Sequence, residues 1–135
     1  MSNKNRTTAF PNGLKGHLIP VGFTEVIANK TLNATTHVGG TFYCTVPNLV
    51  ITLPALSAGA NYVYNIVNGC KNATSLLTIT PEANDGISLI TQADDKTLLN
   101  TLATSKRGDM VTLCSQSLGV FWVVTNVTGI WAKGA

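Results

Sequence analysis

Apolar positions fall into short runs rich in Val, Ile, Thr, Tyr and Phe, cut by Gly, Pro, Asn or Asp at intervals of roughly ten residues. The clearest run is Leu49-Val50-Ile51-Thr52-Leu53, closed by Pro54, whose missing N–H and fixed φ stop a sheet ladder. Tyr62 to Val67 follows, and Asn68-Gly69 supplies residues that tolerate the positive φ of a turn. Leu76 to Thr80 sets Leu77 and Ile79 against Thr78 and Thr80, the period of two that turns one face to a core and the other to water. Weaker strands are expected at Phe23 to Ile27, Thr41 to Val46, Ile87 to Thr91 and Lys96 to Leu102. Met110 to Cys114 and Val120 to Val124, separated by Ser115 to Gly119, read as a hairpin. A helical period never lasts beyond about two turns. The pattern therefore predicts an all-β fold, a single-domain antiparallel β-sandwich or barrel of jelly-roll-like form, over residues 17–135. Residues 1–16 have neither period and predict an extended N-terminal arm.

Composition narrows the class of partner. A length of 135 residues suits one core. With 44% hydrophobic and 11% charged residues the chain is not composed like a disordered one. No apolar run approaches the ~20 residues of a membrane helix, so a membrane is not an expected partner. Nine basic residues against six acidic give a net charge of +3. That excess sits in the arm, where Lys4, Arg6 and Lys15 meet no acid. Base is too sparse for a phosphate-binding stripe, which removes nucleic acid from the expected partners. Met1 to Pro20 holds no signal-peptide core, and synthesis in a reducing cytosol is expected. Few Lys or Glu remain to guard strand edges, and self-association follows as an expectation.

Candidate chemistry is thin. Cys44, Cys70 and Cys114 form an odd set without a CxxC pair and read as packing residues. His17 and His37 lack Cys, Asp or Glu at ligand spacing, so no metal site is expected. No GxSxG or Cys/His signature supplies a nucleophile; no enzyme activity and no cofactor are expected. Asp94-Asp95, Glu82 and Asp85 read as solvated loop acids, and Asn84-Asp85-Gly86 as a turn lacking the oxygen density of a calcium loop. Arg107-Gly108-Asp109 reads as a polar turn before a strand, in preference to an adhesion tripeptide. The Asn-x-Ser/Thr triplets at Asn5, Asn33, Asn72 and Asn126 reflect composition. Ile130 and Trp131 form an apolar pair near the C-terminus, which predicts a docked end. They are candidates for a subunit interface, with burial of Trp131 in its own domain as the alternative.

Several segments of the second half carry a resemblance. They are Ile51 to Gly59 leading into Tyr62 to Val67, Leu77 to Pro81 with Asp85-Gly86, Lys106 to Leu113, and Trp122 to Val124 with Gly129 to Ala132. In order and spacing, over about residues 49–132, they resemble a β-domain of tailed-bacteriophage virion proteins, found in small capsid decoration (cement) proteins and in head-fibre or tail-fibre modules. The resemblance implies a non-enzymatic structural protein of the virion, a homotrimer on the outer capsid surface, made in the host bacterial cytoplasm. Its partners would be the major capsid protein and itself, and it would stabilise the shell by bridging coat subunits. The arm, with Lys4, Arg6 and Lys15 as charges and Phe10 as an apolar anchor, is then expected to lie along the coat. The alternative is a fibre module that binds a host surface glycan, with Tyr43, Tyr62 or Trp122 as stacking platforms. Residues 1–48 carry no part of the resemblance.

Overall fold

The computed structural model describes residues 23–34, 38–57, 61–70, 76–83, 85–88, 97–115 and 121–134. The arm, with Lys4, Arg6, Phe10 and Lys15, lies outside the described residues, as do His17, His37 and Asp94-Asp95. Among the described residues the strands are β1 (Phe23–Val26), β2 (Lys30–Thr31), β3 (Thr41–Cys44), β4 (Leu49–Thr52), β5 (Val63–Asn68), β6 (Leu77–Thr80), β7 (Gly86–Ser88), β8 (Leu98–Asn100), β9 (Asp109–Ser115), β10 (Phe121–Thr128) and β11 (Ala132–Lys133).

The period of two decides which side chains enter the core. In β4, Leu49 and Ile51 point inward while Val50 and Thr52 point out; in β6, Leu77 and Ile79 alternate with Thr78 and Thr80 in the same way. β5 contributes Tyr64 and Ile66, β9 contributes Val111 and Leu113, and β10 contributes Trp122 and Val124. These residues join one apolar cluster between the two sheets. Each fully buried Ile or Leu contributes about 1.5–3 kcal/mol through the surface it removes from water. At the centre, the Tyr64 ring lies 5.6 Å from Trp122 and 6.2 Å from Phe42, tilted arrangements that aromatic quadrupoles favour.

The architecture is an all-β sandwich. One sheet has the order β1-β3-β5-β9-β10-β7, the other β11-β8-β6-β4-β2. From β1 to β9 the chain changes sheet at every strand, and as far as β6 it returns to each sheet travelling in the same direction. The pairs β1/β3, β3/β5, β2/β4 and β4/β6 are consequently parallel, and β7/β10 is parallel as well. Only β5/β9, β9/β10, β6/β8 and β8/β11 are antiparallel. The antiparallel, jelly-roll-like pairing expected from the sequence thus holds only for the C-terminal part. The physical reason is that inward-outward alternation is identical in parallel and antiparallel strands, while direction is set by which layer each turn leads to.

The turns explain that path. Asn48, at φ 62, turns the chain from β3 into β4, and its N–H donates to the Leu76 carbonyl at 3.0 Å. Gly39, at φ 81, precedes β3 and donates to the Val63 carbonyl. Asn68-Gly69 is not a positive-φ turn: Asn68 is the last residue of β5 and both residues are buried. The hairpin expected near the C-terminus is present as β9/β10, with a bulge between Thr112 and Leu113. The terminus is docked: Trp131 is buried in the core cluster, β11 pairs with β8, and the Gly134 N–H donates to the Thr97 carbonyl.

Candidate functional site

Period-two phase places three polar residues where apolar ones stand elsewhere in their strands. Asn68 follows Tyr64 and Ile66 on the inward face of β5; Asn100 follows Leu98 in β8; Asp109 precedes Val111 and Leu113 in β9. All three are buried, with Asn100 fully so. A buried amide or carboxylate without a partner costs several kcal/mol, so they must satisfy one another. Asn68 Nδ2 donates to Asn100 Oδ1 at 2.6 Å, and Asn100 Nδ2 donates to Asp109 Oδ2 at 2.9 Å and to the Ile130 carbonyl at 3.1 Å. The Lys106 N–H adds a bond to Asp109 Oδ2 at 2.8 Å. Asn68 and Asp109 belong to the larger sheet and Asn100 to the smaller, so this chain of bonds fastens the two layers together at one end of the sandwich.

The loops at that end are shaped around the bridge. Gly129 stands at φ 89, and a Cβ there would fall 2.2 Å from the Asp109 carboxyl; only glycine admits both the backbone and the approach. Arg107 Nε donates to the Cys70 carbonyl at 3.1 Å, and the Gly108 N–H to the Asn68 carbonyl at 2.8 Å. The Arg107-Gly108-Asp109 tripeptide is therefore the turn expected before a strand, and its carboxylate points into the protein. Asp85 departs from the expectation of a solvated acid. It is buried, its N–H closes a turn onto the Glu82 carbonyl, and its Oδ2 accepts from the Leu56 N–H at 2.9 Å. It pins the segment after β4 because that backbone N–H would otherwise lack a partner.

Among the described residues, four large hydrophobic side chains are exposed: Phe23, Ile27, Leu102 and Ile130. Register puts Val26, Cys44, Asn68 and Asp109 at one level, so Ile27, one residue beyond Val26, stands at the bridge end. Leu102 follows Asn100 by two residues, and the Ile130 carbonyl accepts from Asn100, so both residues are tied to the bridge through the backbone. Ile27 follows the edge strand β1, two interstrand gaps or roughly 10 Å from Asn68. Of the expected interface pair, Ile130 is 60% exposed, while Trp131 is in the core with its Nε1 donating to the Thr128 carbonyl at 3.0 Å.

Phe23 occupies the far end of β1, edge-on to Tyr43 at 5.9 Å. Tyr43 lies over Gly69, where a Cβ would meet the ring at 2.8 Å. Trp122 is fully buried and offers no platform to a ligand, which corrects that part of the glycan expectation; Tyr62 packs against it at 6.2 Å.

Burial pushes the Cys44 thiol up to about 12, so it stays protonated and unreactive. Among the described residues no group of three or more His, Cys, Asp or Glu is placed to hold a metal ion, and no helix is long and apolar enough to cross a membrane. The buried bridge residues Asn68, Asn100 and Asp109 were not singled out as a set from the sequence, although each breaks the apolar phase of its own strand. No protein-family model and no curated protein matches the chain.

Proposed function

We propose that this chain is a structural virion protein that binds the outer surface of a phage capsid as a homotrimer and holds neighbouring coat subunits together. The observation that carries this reading is the bridge end of the sandwich, where Leu102 and Ile130 are exposed on a base held by the Asn68–Asn100–Asp109 bonds. Exposed apolar residues on a stiff support favour contact with another protein surface. A bridging protein stabilises a shell because parting two coat subunits then also requires releasing the bridge. Threefold repetition multiplies weak contacts, since each engaged arm keeps the others near their sites. The resemblance of the segments from β4 to β11 supports the virion address, and the basic residues Lys4, Arg6 and Lys15 supply charge for an acidic coat.

The test is sedimentation of the purified protein alone and with capsids. Three chains per particle of protein and co-sedimentation with expanded heads are expected; a monomer that stays in the supernatant overturns the reading. The second reading, a fibre module for a host glycan, is favoured by the exposed Phe23 ring against Tyr43. Binding to a glycan array, lost in Phe23→Ala, would promote it.

A further inference from the structure

Asn68-Gly69 is a dipeptide with its own chemistry. In an Asn-Gly sequence the glycine nitrogen attacks the asparagine side-chain carbonyl carbon with little steric hindrance, and the fold has placed that pair at the bridge. We infer that Asn68 is a deamidation site held shut by the native fold, and that reaction there makes opening of this end of the sandwich irreversible.

Both members of the pair are fixed by packing. Gly69 admits no Cβ, because the Tyr43 ring lies 2.8 Å from where it would be. Asn68 is the terminal member of the polar bridge, donating to Asn100. The labile sequence therefore cannot be relieved at either position without disturbing the site.

The native geometry blocks each requirement of the reaction. Attack needs the Gly69 nitrogen freed of its proton, yet its N–H donates to the Cys44 carbonyl at 2.8 Å across the β3/β5 ladder. It needs the Asn68 side chain to swing toward its own backbone, yet Nδ2 is bonded to Asn100 at 2.6 Å and Oδ1 accepts from the Cys70 N–H at 3.3 Å. Water must then enter, yet Asn68, Gly69 and Cys70 are all buried.

When this end opens, the steps balance simply. The Gly69 nitrogen bonds to Asn68 Cγ and loses its proton, the Cγ–Nδ2 bond breaks, and Nδ2 leaves as ammonia, giving a five-membered succinimide. Water adds to one of the two imide carbonyls and breaks its C–N bond, leaving aspartate or isoaspartate at position 68. Aspartate there replaces a donor facing Asn100 Oδ1 by an anion facing an acceptor, in the same buried chain as the Asp109 carboxylate. Isoaspartate lengthens the backbone by one carbon at the end of β5. Neither product can rebuild the bridge.

The experiment incubates the full chain at mildly alkaline pH, in native buffer and in urea, with peptide mass mapping and isoaspartate methyltransferase labelling over time. A second Asn-Gly pair, Asn12-Gly13, reports the intrinsic chemistry in the same urea sample. In urea the two positions are expected to react within about twofold of one another, both lying in unfolded chain. In native buffer position 68 is expected to slow by about a hundredfold or more, the factor set by the fraction of molecules open at that end. Equal rates at position 68 in the two conditions, or slow reaction there in urea, overturn the inference. Chain aged in urea and then diluted is expected to lose its cooperative thermal transition in proportion to its converted fraction. Recovery of the unaged midpoint by converted chain overturns the irreversible step.

Discussion

Asn100 is a residue on which two layers depend. Replacing it by alanine leaves the Asp109 carboxylate and the Asn68 amide each short of a partner in a buried place, and removes a donor from the Ile130 carbonyl. Asn100→Ala is therefore expected to cost about 2–4 kcal/mol and to lower the thermal midpoint by about 10 °C, read by calorimetry. Glycines at positive φ separate backbone strain from collision. Gly108, at φ 100, has open space where a Cβ would sit, whereas at Gly129 a Cβ would enter the Asp109 carboxyl. Gly108→Ala should cost about 1 kcal/mol from conformation alone, and Gly129→Ala about 3 kcal/mol or more because the bridge must also shift. Equal losses in urea melts would contradict the collision. Burial of Cys44 adds a dependence on pH. The unfolded chain gives up this thiol proton near 9.0 and the native chain holds it until about 12, so the native state binds more protons in between. Stability is full below about pH 9 and falls as pH rises through that window. The Tyr64 hydroxyl, raised to about 12 by burial and then by the charge of Tyr62, acts in the same direction. Urea midpoints taken upward from about pH 9 should decline, and less steeply in Cys44→Ala.

Strands show what patterning along the chain can and cannot convey. Leu49 to Thr52 was legible as an apolar run closed by Pro54, Leu77 to Thr80 because it alternates cleanly and ends at Pro81, and β9/β10 because a polar run separates two apolar ones. The edge strand β1 was legible as a strand, though three of its four residues are exposed. Direction was not legible. Alternation specifies a face, and nothing local in Thr45 to Asn48 states that the next strand joins the opposite sheet; the positive φ of Asn48 does that through geometry. Asn68-Gly69 misled for a related reason: its residue types suit a turn, but tertiary bonds to Asn100 and Cys44 hold it extended at the end of a strand. At the candidate site Ile130 was legible as a candidate, while Leu102 was assigned only to a weak strand. The polar bridge was visible in principle as three breaks of phase, each on a separate strand, whose convergence only the folded chain reveals.

For the whole molecule, the exposed Leu102 and Ile130 make association testable without touching the core. Lysine at both positions, Leu102→Lys with Ile130→Lys, should leave far-UV circular dichroism unchanged, since both side chains are exposed. In the proposed reading, sedimentation should then report one chain where the wild type reports three. A double variant that still sediments as the wild type would move the contact elsewhere. The order of the larger sheet also bears on synthesis. β5 is complete at Asn68, but its neighbour β9 begins only at Asp109, some forty residues later. At ordinary ribosomal speeds of about 5–20 residues per second, the free side of β5 waits roughly 2–8 s for the strand that will cover it. On a crowded polysome that vacancy is open to the same hairpin from an adjacent nascent copy, and exchange of β9/β10 between siblings is the error this lateral arrangement invites.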